Sequence, residues 1–375
     1  MIFKAVVPLP EVKLVDVTKK YESIVAVEGV NLHVADGEYF TIVGPTSAGK
    51  TTTLMMIAGL VKPDCGSIYI NGKIVNDLLP EERNIGFMFQ GFELFPHLSV
   101  WDNVTYGPFV KSWNPEVYGK SAREMLEIVH LAGRFDAFPR ELSGGMQQRI
   151  ALVRALTSGA RLLLLDEPLG SLDAKTRFEL RYELRRLVKD LGLTAIHVTH
   201  DMEEAMTVSD RIAILRKGKF LQVGNPLEVY SSPINLFVAN FISETNLLEG
   251  IVKSKGEKWI NVELKNGGNV RVTDGRRDMG EYVVLAVRSE NVIIHKGGVG
   301  KTNTLSGYIE SSKFISGYIR YEVRLDNGDR IVLRKVASRN HFFKVNERVT
   351  ASFNPEKTLV YPYPEEGMEK AISPD

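Results

Sequence analysis

Eight residues, Gly44-Pro-Thr-Ser-Ala-Gly49-Lys50-Thr51, carry the densest chemistry in the sequence. Their spacing is that of a phosphate-binding P-loop, and the flanks agree: an apolar strand-like run, Tyr39 to Val43, leads in and a helix-like run, Thr51 to Ala58, leads out. Glycines let backbone N–H groups turn inward around phosphate oxygens, and the start of a helix adds its positive end. Lys50 reaches the β and γ oxygens and Thr51 offers its hydroxyl to Mg²⁺. The expected ATP-phosphate contacts are Gly44, Thr46, Ser47, Ala48, Gly49, Lys50, Thr51 and Thr52. A second stretch, Gly298-Val-Gly300-Lys301-Thr302, ends like such a loop, but its first glycine would fall on His295. The helix that should follow is interrupted by Asn303 and Gly307, so this stretch reads as a linker.

The run Arg161 to Pro168 is an apolar strand ending in two carboxylates, Asp166 and Glu167. Ligands sit at the carboxyl ends of such strands. Phosphoryl transfer asks mainly for positioning and charge, so Asp166 is expected in the Mg²⁺ shell while Glu167 orients or deprotonates the attacking water. The pair alone is a weak signal; beside a P-loop it is a strong one. Upstream, Leu142-Ser143-Gly144-Gly145-Met146-Gln147-Gln148-Arg149 heads a helix-like segment. A small hydroxyl and bare amides at a helix start form an anion site.

This octet resembles the signature motif of ABC ATPases. The resemblance implies that Ser143, Gly144, Gly145 and Gln147 face the ATP bound by an opposite subunit, and therefore a homodimer. Further positions fit the same family. Gln90 resembles the Q-loop glutamine that touches Mg²⁺. His200, in Val198-Thr199-His200-Asp201, resembles the switch histidine, catalytic with Glu167. Ser171 and Asp173 resemble the D-loop, and Tyr21 resembles the aromatic that stacks on adenine. Met146 stands where glutamine is commonest, Gly170 where serine is usual, and Thr51 in place of the commoner serine. Neither Met146 nor Gly170 carries phosphate chemistry, so altered rate or interface stability is expected rather than loss of hydrolysis. His197, three residues before His200 on a strand, should face the other way, which argues against a zinc pair.

Elements must hold these groups in place. The chain has 375 residues, 44% hydrophobic and 25% charged, enough for two or three cored domains. A net charge of +1 gives no global field toward nucleic acid or an acidic membrane surface. One cysteine, Cys65, excludes an intramolecular disulfide framework, fits a reducing compartment, and reads as a buried or half-buried thiol. Met1 to Pro10 is too short and too broken by proline for a secretory signal, so the mature start is read as Met1. No apolar run approaches the roughly 18 to 20 residues of a spanning helix, and Leu162 to Leu165 reads as a buried strand.

From Val12 to about Phe241, aliphatic strand-like runs alternate with helix-compatible segments, the pattern of an α/β domain. Beyond Leu247, strand-like runs such as Tyr282 to Val287, Tyr318 to Leu325 and Arg330 to Leu333 are separated by Asn266-Gly267-Gly268 and Asp326-Asn327-Gly328, which is hairpin chemistry. The last third is expected to be all-β, as tandem barrels about 247–296 and 304–362, with a tail after Tyr361 that frays.

The resemblance gives this layout names. It implies an α/β P-loop NTPase, the ABC cassette with a RecA-like core, an antiparallel β-subdomain and a helical subdomain (about 92–160). This cassette would occupy residues 1–241, and an OB-like TOBE domain residues 242–375. Phe237 to Asn246 and Val287 to Asn291 look like that family's domain junction and barrel landmark. The implied activity is ATP hydrolysis driving import: two copies close over two ATP molecules at the cytoplasmic face of the membrane. The implied partners are two transmembrane permease subunits and, through them, an extracytoplasmic substrate-binding protein. The stretch Phe92, Leu94, Phe95, Pro96 and His97 would receive a permease helix. The cargo reads as a polyamine or inorganic ion before a sugar. A soluble repair or translation ATPase fits less well, because the interval of about ninety residues between P-loop and signature lacks sustained heptads and there is one motif set. No nucleic acid is expected, since the tail lacks a dense basic cluster with interleaved aromatics.

Overall fold

A computed structural model describes residues 10–274, 276–297, 303–337 and 342–374. Met1 and the linker stretch Gly298 to Thr302 lie outside the described residues. The chain divides into two compact units, Met1–Ser232 with Pro374–Asp375, and Pro233–Ser373.

In the first unit, β1 (Val12–Tyr21) and β2 (Ile24–Val34) form an antiparallel hairpin. Next comes β3 (Tyr39–Val43), buried at every position, which runs through the P-loop into α1 (Lys50–Ala58). Then β4 (Cys65–Ile70) pairs with β1 and with β5 (Lys73–Ile74), completing a four-stranded sheet of order β2-β1-β4-β5. After β6 (Ile85–Met88) come three helices, α2 (Val100–Val110), α3 (Pro115–Ile128) and α4 (Gly144–Thr157). The unit continues with β7 (Leu162–Asp166), α5 (Ala174–Asp190), β8 (Thr194–Thr199), α6 (Met202–Val208), β9 (Arg211–Arg216), β10 (Lys219–Gly224) and α7 (Pro226–Ser231).

The second sheet has the order β10-β9-β3-β8-β7-β6, parallel except for β10. Both faces of this sheet are covered, which is why β7 is an unbroken apolar run. Leu163 and Leu165 join a core shared with α2 to α5, and Leu162 and Leu164 join a core shared with α1 and the antiparallel sheet. Alternate side chains of one strand thus glue two layers to it. The helices start where polar caps allow: Ser99 accepts from the N–H of Asp102, Asn114 precedes Pro115, and Asp173 accepts from that of Thr176. Pro108 interrupts α2, and its missing N–H would orphan the Val104 carbonyl; the Thr157 hydroxyl donates to that oxygen at 2.6 Å. Cys65 is exposed rather than buried, because β4 opens toward solvent at its first two residues.

The second unit holds α8 (Leu236–Ile242), β11 (Thr245–Lys255), β12 (Ile260–Leu264), β13 (Asn269–Val272), β14 (Tyr282–Arg288), β15 (Val292–His295), β16 (Thr304–Ile315), β17 (Tyr318–Leu325), β18 (Arg330–Val336), β19 (Arg348–Phe353), β20 (Leu359–Pro362) and α9 (Met368–Ile372). Both expected hairpin turns form, with Gly267, Gly268 and Gly328 at φ 96°, 101° and 90°.

Three expectations need correction. The boundary falls at Ser232/Pro233 rather than after residue 241, because Leu236 and Ala239 of α8 pack on Val284, Ala286 and Tyr361. The halves 247–296 and 304–362 are not separate barrels. The sheets run β13-β12-β11-β14-β20 and β15-β19-β16-β17-β18, so each half lends one strand to the other, and both sheets close on one core. Asn246 ties them further: its amide donates to the carbonyls of Val287 and Val332 and accepts from the N–H of Val332. Last, the segment after Tyr361 is ordered. Tyr363 donates its N–H to the carbonyl of Tyr282, and Met368 and Ile372 of α9 pack beside α8.

Candidate nucleotide site

Parallel strands point their carboxyl ends the same way, so the sheet order alone collects the sequence motifs on one edge. Val43 pairs with Thr199, Asp166 with Val198 and Met88 with Leu165, which lines up the P-loop, His200, the Asp166–Glu167 pair and Gln90. The loop's glycines are there because nothing larger fits. A Cβ on Gly44 would stand 2.1 Å from the Leu215 carbonyl oxygen; one on Gly49, at φ 101°, 2.2 Å from that of Ala26. Ser47 also sits at positive φ, 65°, the kind of backbone conformation from which anion-binding loops are built.

Lys50 is 8% exposed, and its ammonium donates to the carbonyls of Gly44 at 2.9 Å and Pro45 at 2.8 Å. Burial pulls its pKa down, against the opposing pull of Glu167 and Asp166. Asp166 is 2% exposed and burial pushes its carboxyl up; the Thr51 hydroxyl bonds to it. Its Oδ1 is buried with no partner among the described residues. A buried cation-seeking oxygen beside a hydroxyl fits a Mg²⁺ carried in with nucleotide. No cluster of three or more His, Cys, Asp or Glu among the described residues could hold an ion by itself, and Mg²⁺ commonly completes its shell with substrate phosphate and water.

Glu167 adopts a left-handed backbone, φ 50°, which turns it out of the strand line. His200 Nδ1 lies 2.8 Å from Glu167 Oε1 and donates to that carboxylate; the imidazole is largely exposed and the carboxylate is not. His197 faces elsewhere, as expected: it is fully buried between the Tyr39 hydroxyl at 3.1 Å and Glu204 at 3.3 Å. Burial pushes the Glu204 carboxyl up, but His197, Thr199 and Arg181 outweigh it and hold it below the usual range.

The remaining expected residues stand on neighbouring loops and at other helix starts. Tyr21 ends β1, 44% exposed, with the Lys19 ammonium 5.4 Å from its ring centre. Thr52 and Ala48 belong to the loop and first turn of α1, and Thr46 lies exposed on the loop. Gln90 is exposed just past β6. Ser143 caps α4, and it and Gly144 are exposed, open to a second molecule. Gln147 is spent locally, donating to the carbonyls of Pro139 and Leu142. Asp173 caps α5.

Of the stretch expected to receive a permease helix, Phe92 and Leu94 pack inward on the core, while Pro96 and His97 are exposed. Phe95 stands between Tyr106 and Arg154, at 4.6 and 5.0 Å, and lines a groove of about 650 Å³ with Phe87, Phe89 and Glu93.

Two residues escaped the sequence reading. Gln148 is 1% exposed and joins Glu167 to Ser171. Arg177 donates to the carbonyls of Gly170 and Leu172 and lies 3.8 Å from Asp201, next to His200. For Gln148 the signal was present: it shares a helical face with Leu152, Ala155 and Leu156, an amide on an otherwise apolar stripe.

Comparison with known proteins points to one family. The ABC transporter family matches residues 27–170 and the TOBE domain residues 285–360. The spermidine/putrescine import ATP-binding protein PotA of Trichormus variabilis is 39% identical, covering 92% of this chain and 91% of that protein. Its counterparts in Thermobifida fusca and Thermotoga maritima are each 35% identical, covering 94% and 93% of this chain and 94% and 97% of their own. Among solved structures, the dimeric ATP-binding cassette MJ0796 in a post-hydrolysis state bound to ADP and Pi has a TM-score of 0.53 at 37% identity, covering 57% of this chain and 98% of its own. The P-loop edge, the exposed helix start at Ser143 and the strand-rich second unit place this chain in the family of ABC-transporter ATP-binding proteins that carry a TOBE domain.

Proposed function

We propose that this chain hydrolyses ATP as the motor subunit of an importer for small polycations of the polyamine class, acting as a pair of copies. The observation that carries this reading is the separation of two half-sites in one chain: Lys50, Asp166, Glu167 and His200 share the sheet edge, whereas Ser143 and Gly144 lie exposed at a helix start. A helix start presented to solvent suits the nucleotide of a second copy.

In that arrangement the loop amides and Lys50 cradle the β and γ phosphates, and Tyr21 supports the adenine. Thr51 and Asp166, with Gln90, would hold Mg²⁺, whose charge offsets that of the phosphates when it is bound. Glu167, held by His200, receives the proton of the attacking water. Exchange of the Lys50 contacts with Gly44 and Pro45 for phosphate oxygens keeps the ammonium satisfied in both states, so binding needs little rearrangement. Ser171 and Asp173 belong to the dimer interface, and the Phe95 groove takes a helix of one of two permease subunits, to which an extracytoplasmic binding protein delivers cargo. Among the described residues no helix is long and apolar enough to cross a membrane. In this reading, which follows the relatives' role as import ATP-binding proteins, the permease supplies the crossing and this chain works at its cytoplasmic face. The polyamine cargo rests on the relatives' names, and those import proteins leave a repair or translation role without support.

The test is capture of the Glu167→Gln chain with Mg-ATP from detergent-solubilised native membranes, followed by mass spectrometry and by polyamine uptake in cells lacking the chain. Co-purified multi-span subunits and lost uptake support the reading. Ribosomal or repair partners with no membrane protein would refute the importer role, and intact polyamine uptake would refute the cargo.

A further inference from the structure

We propose that Gln148 is a positioning residue that ties the helix start facing the partner's ATP to the carboxylate acting on the chain's own ATP, so that engagement of one site aligns the other. This rests on the hydrolysis reading above and adds a residue and a coupling to it. The Gln148 amide is 1% exposed, on the face of α4 that packs into the core. Its Nε2 donates to the Glu167 carbonyl at 3.0 Å, and its Oε1 accepts from the Ser171 N–H at 3.2 Å and the Ser171 hydroxyl at 2.8 Å. The partners fix which end of the amide is which, because the Glu167 carbonyl can only accept and the Ser171 N–H can only donate.

Those bonds hold one strained residue and the segment that leads into α5. Glu167 sits at φ 50°, a left-handed conformation that costs a glutamate energy. Its N–H is held by the Val198 carbonyl at 2.9 Å and its carbonyl by Gln148 at 3.0 Å and by the Gly170 N–H at 3.2 Å, so both flanking peptides are pinned and the carboxylate is aimed at His200. Ser171 belongs to the segment that leads to Asp173 and the start of α5. A second contact lies nearer the helix start: a Cβ on Gly145 would stand 3.5 Å from the Leu172 side chain and 3.8 Å from the Ser171 carbonyl. Five residues of helix, roughly 7.5 Å of rigid rod, separate Ser143 from Gln148. Any shift of α4 on meeting the partner's phosphate is therefore delivered to the Glu167 backbone. Burying an amide in place of an aliphatic group adds little net stability, since desolvation offsets much of the bonding. What Gln148 supplies that methionine could not is direction.

The test compares the full chain with Gln148→Met, which keeps the volume and removes all three bonds, and Gln148→Glu, which still accepts from Ser171 but cannot donate to the Glu167 carbonyl when ionised. Ser171→Ala removes one bond. Both Gln148 variants should lose turnover roughly tenfold to a hundredfold, the scale of a small misplacement of a reacting group. KM for ATP should stay within about twofold, the mark of a transition-state effect, and the Hill coefficient for ATP should fall to about one. Ser171→Ala should lie between. Turnover within about twofold of the parent in both Gln148 variants, or a loss expressed as raised KM at unchanged turnover, would overturn the proposal. If Gln148→Met does not fold, Gln148→Glu and Ser171→Ala decide by the same criteria. A parent chain without ATPase activity would instead refute the hydrolysis reading, a separate result.

Discussion

Gly144→Ala separates a glycine kept for a ligand from one kept for the fold. Gly144 is the first residue of α4; its φ is not in the left-handed region, and nothing among the described residues lies within 4 Å of where its Cβ would stand. The chain itself therefore has no steric need for glycine here. Alanine is preferred over glycine by about 0.8–1.0 kcal/mol in a helix interior and by less in the first turn. One kcal/mol corresponds to about 2–4 °C for a domain of this size. The variant should melt at the parent's temperature or a degree or two above it. In the proposed closed pair, however, the methyl would stand between the helix amides and the partner's γ-phosphate. Moving a phosphate by about 1 Å costs on the order of a hundredfold in rate, so turnover should fall at least that far. The assays are calorimetric melting of the isolated chain, steady-state phosphate release, and ATP-driven dimerisation in a Glu167→Gln background by light scattering. Activity within about threefold of the parent would refute the claim that this bare backbone serves a phosphate. A melting point lower by several degrees would show that the glycine is structural after all.

Gly49→Ala should behave oppositely. The new methyl meets the Ala26 carbonyl at 2.2 Å and the residue is forced to φ 101°, so strain and overpacking together should cost about 2–6 kcal/mol, read as a large drop in melting temperature even without nucleotide. Acid should weaken the first unit in a defined window. Burial raises the Asp210 carboxyl, but Lys189, the Tyr39 N–H and Arg185 prevail and hold it low, and Glu204 is held low as well. A carboxylate lowered in the folded state stabilises above its unfolded value of about 4 and loses that contribution as pH falls through the folded value. Denaturant midpoints should be flat from neutrality to about pH 5 and fall below about pH 4, and Asp210→Asn should flatten that acid limb.

The candidate site was legible in the sequence because each motif is local. Glycine spacing dictates an anion nest, an apolar run ending in Asp166-Glu167 dictates a buried strand with carboxylates at its mouth, and Gly267-Gly268 dictates a hairpin. Each depends on neighbours along the chain. What escaped depends on neighbours in space. No local pattern could tell that β15 and β20 would exchange sheets, because an alternating strand fits either sheet equally well until the shared core selects one. The same holds for α8, whose apolar face suits any apolar surface until Val284 and Tyr361 are there to meet it. Gln148 could be flagged as a polar residue on a buried stripe, but its partners lie 19 and 23 residues away and meet it only after β7 and α4 have packed. Sequence alone determined which groups are the candidates for the chemistry; tertiary structure decided which of them touch, because hydrogen bonds have angstrom tolerances that only the packed core sets.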